Sequence, residues 1–164
     1  MMESLLEWMW DRHHNILSWY IRPLFILPYC YFAYQRKLRY VLLTLAILPT
    51  TLFWFPAPEQ PSAKVIEYLA WERDFLLTGA LWTRASFVCL VVLFLWLLAL
   101  AFWKRNIWYG ALIVNIGTGV KVVWSMYFGG DVGSASLLPA AVTLVICNAL
   151  FLLIYYIYHR GTQE

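Results

Sequence analysis

The stretch IWYGALIVNIGTGVKVVWSMYF, residues Ile107–Phe128, decides the fold. About 20 apolar residues at a rise of about 1.5 Å each cross the hydrocarbon core of a bilayer. This stretch is long enough and apolar enough to do so, yet it carries Lys121 near its middle. A charge there costs about 3 kcal/mol on insertion scales. Such a residue faces a partner or a wet cavity rather than lipid, which makes Lys121 the first candidate for function.

Working outward, two further stretches read as clean spans. Ala85–Trp103 and Leu137–Tyr158 contain no charged residue. Arg39–Phe55 is a shorter span with Pro49 as its expected kink, because proline in a spanning helix is tolerated where neighbours satisfy the freed carbonyl. Ser18–Tyr34 is apolar but holds Arg22, Pro23 and Pro28, and reads either as a broken span or as a re-entrant segment. The predicted fold is therefore all-α: a polytopic membrane helix bundle of four or five spans, near 18–34, 39–55, 85–103, 107–128 and 137–158. Residues 1–164 are expected to form a single integral membrane domain.

Two amphipathic helices are expected at the membrane surface. In Leu5–Ile21 the apolar Leu5, Trp8, Met9, Ile16 and Trp19 fall on one face and Glu7, Asp11, His14 and Ser18 on the other. After the helix-breaking run Pro56–Pro61, Ser62 is placed to cap a helix over Ala63–Thr78. Its predicted apolar face is Val65, Ile66, Leu69, Ala70, Leu76 and Leu77, with Glu67, Trp71 and Asp74 opposite. This helix is expected to lie over the mouth of the bundle.

Composition supports the membrane reading. The chain of 164 residues is 63% hydrophobic and 13% charged. Soluble domains run nearer about 45–50% and about 25%. The net charge of +3 is small and dispersed, which argues against nucleic acid as a partner. Cys30, Cys89 and Cys147 lie far apart in apolar surroundings and form no redox or zinc motif, so they read as small core residues. The N-terminal residues carry neither the basic region nor the cleavage site of a secretory signal, and no lipidation motif stands at either end.

Short cytoplasmic loops collect Lys and Arg. Arg36, Lys37 and Arg39, then Lys104 and Arg105, then Arg160 fall on one side if the spans alternate. Glu59, Glu67, Glu72, Asp74 and Asp131 fall on the other. The basic loops and the C-terminus are therefore expected to be cytoplasmic, in a multi-pass protein of a bacterial inner membrane or its equivalent. Five spans put the N-terminus outside; four put it inside. Trp54, Trp82, Trp103, Trp108 and Trp124 lie near span ends and read as an aromatic belt, with Trp96 as mid-span packing.

The candidate site is a polar stripe. Asn115, Thr118, Lys121 and Ser125 share one face of the Lys121 helix at three-to-four-residue spacing. Gly110, Gly117 and Gly119 permit close helix approach. The stripe is either an anion- or substrate-coordinating wall or, in part, a lysine snorkelling to the outer interface near Asp131. Arg22 is the second intramembrane charge. It meets lipid headgroups at the membrane entry or joins Lys121 in a basic pocket for a phosphate or small anion. A buried lysine needs a counter-charge or loses its proton, and Glu72, Glu67 and Asp74 on the outer helix are the available partners, Glu72 foremost. Glu7, Asp11 and His14 on one helical face read as polar surface rather than as a metal site. His159 reads as a terminal anchor. No H-E-x-x-H, G-x-S-x-G or P-loop is present and no histidine lies within a clean span, so no catalytic residue, metal or cofactor is expected.

A few positions, Trp19-Tyr20, Pro23, Pro28 and Trp124–Phe128, are similar to patterns in the tryptophan-rich sensory proteins. One span follows the second pattern here instead of two, and Lys121 stands where that family has asparagine, so no membership is assigned. Three functional readings follow. The first is an oligomeric transporter or channel-like protein with Lys121 as an electrostatic filter. The second is a non-catalytic accessory subunit of a larger membrane complex, with Ala140, Ala141, Thr143 and Cys147 docking a partner helix. The third is a lipid-handling enzyme with Glu72 or Asp74 as general base. The expected partners are the lipid bilayer and either a homo-oligomer or another membrane protein.

Overall fold

The computed structural model describes residues 2–160, with side chains described for residue 5 and for 7–156. His159 and Arg160 thus lie outside the described side chains. The chain is all-α. Its segments are α1 (Met2–His13), α2 (Leu17–Leu24), α3 (Ile26–Tyr34), α4 (Leu38–Ile47), α5 (Ala63–Thr78), α6 (Leu81–Trp103), α7 (Ile107–Gly133) and α8 (Leu137–Arg160). Short 3-10 turns cover Leu48–Phe53 and Ser134–Ser136.

Two continuous stretches are long and apolar enough to cross a membrane: Leu81–Trp103, of 23 residues, and Ile107–Tyr156, of 50. That is fewer than the four or five predicted, for local reasons. The first predicted span breaks at Phe25, between Pro23 inside α2 and Pro28 in α3. The second passes from α-helix to 3-10 helix at Leu48, with Pro49 next, where the kink is expected. The last two are joined through the Ser134–Ser136 turn into one helical stretch.

The direction of each leg follows from its cross-contacts. Tyr29 Oη donates to the Leu95 carbonyl at 2.9 Å and Arg36 Nε to that of Trp103 at 3.2 Å, so α3 and α6 run parallel. A Cβ on Gly110 would meet the Phe102 ring and one on Gly117 the Phe94 ring, so α7 runs antiparallel to α6. Trp108 meets Tyr155 at 5.1 Å and Asn115 meets Asn148, so α8 returns antiparallel to α7. Phe32 stacks on Tyr40 at 5.1 Å across the turn between α3 and α4. The five legs α2–α3, α4 with its 3-10 turn, α6, α7 and α8 alternate in direction. Arg36 and Arg105 therefore share one end of the bundle, and α5 closes the other.

The core fills the middle. Tyr29, Cys30, Ala33, Val41, Leu98, Phe102, Val114, Cys147 and Phe151 come from α3, α4, α6, α7 and α8. Gly110 and Gly117 serve it by admitting phenylalanine rings where any Cβ would collide. At the basic end α3 and α6 finish alike. Arg36 and Arg105 take positive φ (56° and 58°), and Lys37 N–H and Asn106 N–H bond back to the Phe32 and Ala101 carbonyls. This is the left-handed helix stop usually built on glycine. Asn106 then caps α7, accepting from Tyr109 N–H at 3.0 Å.

Several local expectations are corrected. Leu5–Ile21 is not one helix: it turns at His14–Ile16, where Asn15 Oδ1 accepts from Leu17 N–H and Asn15 Nδ2 donates to the Pro56 carbonyl. Ser18, placed on the polar face, is buried instead. Ser62 stands at the N-terminus of α5 but its hydroxyl makes no capping bond. The buried face of α5 is Val65, Tyr68 and Leu69, while Ile66, Ala70, Leu76 and Leu77 are exposed. The helix is rotated so that Tyr68 and Glu72 turn inward, because a polar cluster lies beneath it. Trp96 is 59% exposed and does not pack the interior. Cys30 and Cys147 are core residues; Cys89 is exposed.

Candidate functional site

The cluster under α5 draws on four segments. The end of α1 brings His13, α2 brings Ser18, Trp19 and Arg22, α5 brings Tyr68 and Glu72, and α7 brings Lys121 and Ser125. The break at His14–Ile16 makes this possible by turning the chain between α1 and α2, which sets His13 against residues five and nine positions on. α5 is held down by Trp71, whose Nε1 donates to the Phe128 carbonyl at 3.1 Å. Trp19 packs on Tyr68 at 4.9 Å.

His13 is 3% exposed and sits at the centre. Its Nδ1 lies 3.3 Å from Arg22 Nη2 and 3.4 Å from Ser18 Oγ. Its Nε2 lies 3.6 Å from Glu72 Oε2, the one ion pair among the described residues if the ring is protonated. The Trp10 ring meets the imidazole edge-on at 5.6 Å, and Trp19 Nε1 donates to the His13 carbonyl at 3.3 Å.

Glu72 attracts both Arg22 and Lys121, and the two cations repel each other. Counting His13 neutral, two positive charges meet one negative. Both cations keep unused donors. Arg22 Nε is buried with no hydrogen-bond partner, and Lys121, on the exposed side of α7, makes no hydrogen bond or ion pair among the described residues. Tyr68 and Ser125 share a side-chain hydrogen bond. Burial pushes the Tyr68 phenol up to about 12, Glu72 adds to the rise, and Ser125 and Arg22 oppose it. The phenol therefore stays protonated through the neutral range.

The structure thus brings Lys121, Arg22, Glu72 and Ser125 to one place and leaves the other candidates outside it. Asp74 is exposed and accepts from Thr78 Oγ1 at 2.8 Å, on the side of α5 that faces the groove with Trp10 and His14. Glu67 is exposed. Thr118 lies half-buried on α7. Asn115 belongs to a second polar contact, toward the basic end. Its Nδ2 donates to Asn148 Oδ1 at 2.9 Å and to the Ala111 carbonyl, while Asn148 Nδ2 donates to Asn115 Oδ1 at 3.2 Å and to the Leu144 carbonyl. All four amide N–H groups are used.

Two residues central to this geometry were not singled out by the sequence. Asn148 was passed over inside an uncharged span, though a lone asparagine there, like Asn115 in the neighbouring leg, is a signal of interhelical bonding. His13 carries no signal of its own in the sequence; its burial follows from the turn after it, which no periodicity announces. Among the described residues no group of three metal-ligand side chains gathers.

The chain matches no protein-family model, no curated protein and no solved structure. The functional reading therefore rests on the cluster itself.

Proposed function

We propose that this chain is a small multi-span membrane protein that binds an anionic solute at the Arg22–Lys121–Glu72 cluster and moves it across the bilayer, as a transporter or channel-like protein. One observation carries the reading. Arg22 and Lys121, from two separate legs, are both drawn electrostatically to the one carboxylate of Glu72 without an ion pair to it, and they keep unused donors. An intramembrane charge without a dedicated partner is expensive, and it persists where a solute uses it. The carboxylate offsets one of the two cations, so the site has an excess of one positive charge for an oxyanion to offset. Arg22 offers the planar fork suited to a carboxylate or phosphate, and Lys121 a point charge.

In this reading all five legs cross, including the two broken by proline. The basic loops face the cytoplasm, and α1 and α5 lie at the outer surface as the cover of the site. Asn115 is exposed on α7 near mid-span. A second copy packed on α7 would shield it, which favours a homo-oligomer. The accessory-subunit reading keeps only Ala141 of its docking stripe exposed, since Ala140, Thr143 and Cys147 are buried within this chain.

The test is anion flux into proteoliposomes holding the purified protein, with Lys121→Met and Lys121→Arg beside the wild type. Flux lost in the first and retained in part in the second supports the filter. Equal flux in wild type and Lys121→Met, with both folded, rules it out.

A further inference from the structure

The three distances around His13 fix which nitrogen carries its proton. A guanidinium has only donors. Arg22 Nη2 at 3.3 Å therefore requires Nδ1 to accept, with its lone pair free of a proton. Ser18 cannot supply a competing donor, because its hydroxyl proton goes to the Asn15 carbonyl at 2.8 Å. The ring proton of neutral His13 is thus on Nε2, toward Glu72.

A second proton can enter only at Nδ1, and it changes the cluster. An Nδ1–H would point at an Arg22 N–H, and imidazolium would stand beside guanidinium. Arg22 must then withdraw. The new Nδ1–H has an acceptor waiting in Ser18 Oγ at 3.4 Å. The released Arg22 Nη2 joins the already unpartnered Nε on one edge of the guanidinium. Two adjacent N–H groups on one edge are what an oxyanion takes in bidentate fashion.

We propose that His13 is the proton-coupling site of this protein: each oxyanion taken by Arg22 is accompanied by one proton from water on His13 Nδ1. The step rests on the anion reading above. One N–H bond forms as one anion and one proton from solution enter together, so the net charge of the cluster is unchanged for a monoanion such as methanesulfonate and falls by one for sulfate. The groups around the ring set the sign. Glu72 on α5 and the bound anion favour imidazolium, and Arg22 on α2 opposes it. Ser18 and Trp19 on α2 and Trp10 on α1 are uncharged. Tyr68 remains a neutral phenol. Lys121 on α7 favours the anion. Arg12 points away, to the Phe53 carbonyl, His14 to that of Trp10, and Arg73 lies over the Trp10 ring. Linkage makes the coupling reciprocal: acid tightens anion binding, and anion raises the proton affinity of His13.

The test uses the full chain in detergent, with sulfate and methanesulfonate as probes because their charge does not change over this range. Binding is measured from about pH 8 to about pH 5, the range in which histidine titrates. The wild type is expected to tighten roughly tenfold on acidification. His13→Gln is expected to flatten that dependence, and Ser18→Ala, nearly isosteric, to weaken it. Nitrogen NMR of histidine-labelled protein should place the neutral proton on Nε2 of His13, and added sulfate should move its protonation to higher pH. Binding that is independent of pH in the wild type, or a slope that survives in folded His13→Gln, overturns the coupling and leaves the anion site standing. Absence of binding at every pH overturns both.

Discussion

Asn115 and Asn148 exchange hydrogen bonds across α7 and α8, at 2.9 and 3.2 Å, and each amide also donates to the carbonyl four residues before it. The pair ties the two legs of the last hairpin near the middle of their apolar stretches. Replacing one asparagine leaves the other with one donor and one acceptor unmet. Asn115→Leu or Asn148→Leu is therefore expected to lower stability by about 1 kcal/mol, as interhelical polar contacts in membranes do. The double replacement should cost less than the sum of the singles. Thermal unfolding in one detergent checks both, and additive losses would mean the amides are not coupled.

The glycines of α7 predict a graded series. Gly119 has no neighbour within 4 Å of a would-be Cβ, so Gly119→Ala should leave the isolated chain unchanged or slightly stabilised. Gly110→Ala and Gly117→Ala press on the Phe102 and Phe94 rings and should cost about 1–3 kcal/mol. Gly133→Ala drives a Cβ into the Ser125 carbonyl, where backbone must move, and should be the worst of the four. The ranking is read from unfolding midpoints. A Gly119→Ala loss confined to the oligomer would place that glycine in an interface between copies.

Tyr68 predicts an alkaline sensitivity. Its phenol titrates near 12 when α5 is docked, against an ordinary value of 10.0. Between about 10 and about 12 the undocked or unfolded chain releases this proton while the docked state holds it. Stability therefore falls as pH rises, by an amount on the order of 2 kcal/mol across that window. Tyr68→Phe should be less stable at neutral pH by about 1 kcal/mol, through loss of the Ser125 bond, yet show a shallower alkaline decline. The ultraviolet difference spectrum of wild type minus variant isolates the one phenol.

The proposed crossing of all five legs predicts a sidedness. In oriented vesicles, Glu59→Cys should react with an impermeant maleimide added outside, and Lys104→Cys only after permeabilisation. Cys30 and Cys147 are in the core and Cys89 is mid-leg, so the native thiols should stay unlabelled. Labelling of both positions from one side would remove the five-leg crossing.

The all-α character and several helix bounds were legible because helices and their breaks are local, whereas the number of long apolar stretches was not. Pro49 marks the change of helix type, and the bounds of α5 match the predicted Ala63–Thr78. The face of α5 was not legible. Its side chains allow two apolar sides, Val65–Leu69 or Ile66–Ala70–Leu77, and the choice went to the side that could also bury Tyr68 against Ser125 and turn Glu72 toward the cations. The site was legible in its charges and not in its centre. Lys121, Arg22 and Glu72 stand out as costly or available charges in an apolar chain, whereas His13 gains its place from a turn made by Asn15 and Pro56, 41 residues apart.

By itself the sequence determined the all-α character, the apolar stretches and their interruptions, and the separation of basic from acidic loops. These depend on hydrophobicity and backbone propensity summed over neighbouring residues. Only the tertiary structure decided that the turn after α1 sets His13 between Arg22 and Glu72, that α5 presents Tyr68 and not Ile66, and that Asn115 answers Asn148. The physical reason is the same in each case. Periodicity says which side chains share a face, but what that face meets is set by packing between segments far apart in the chain.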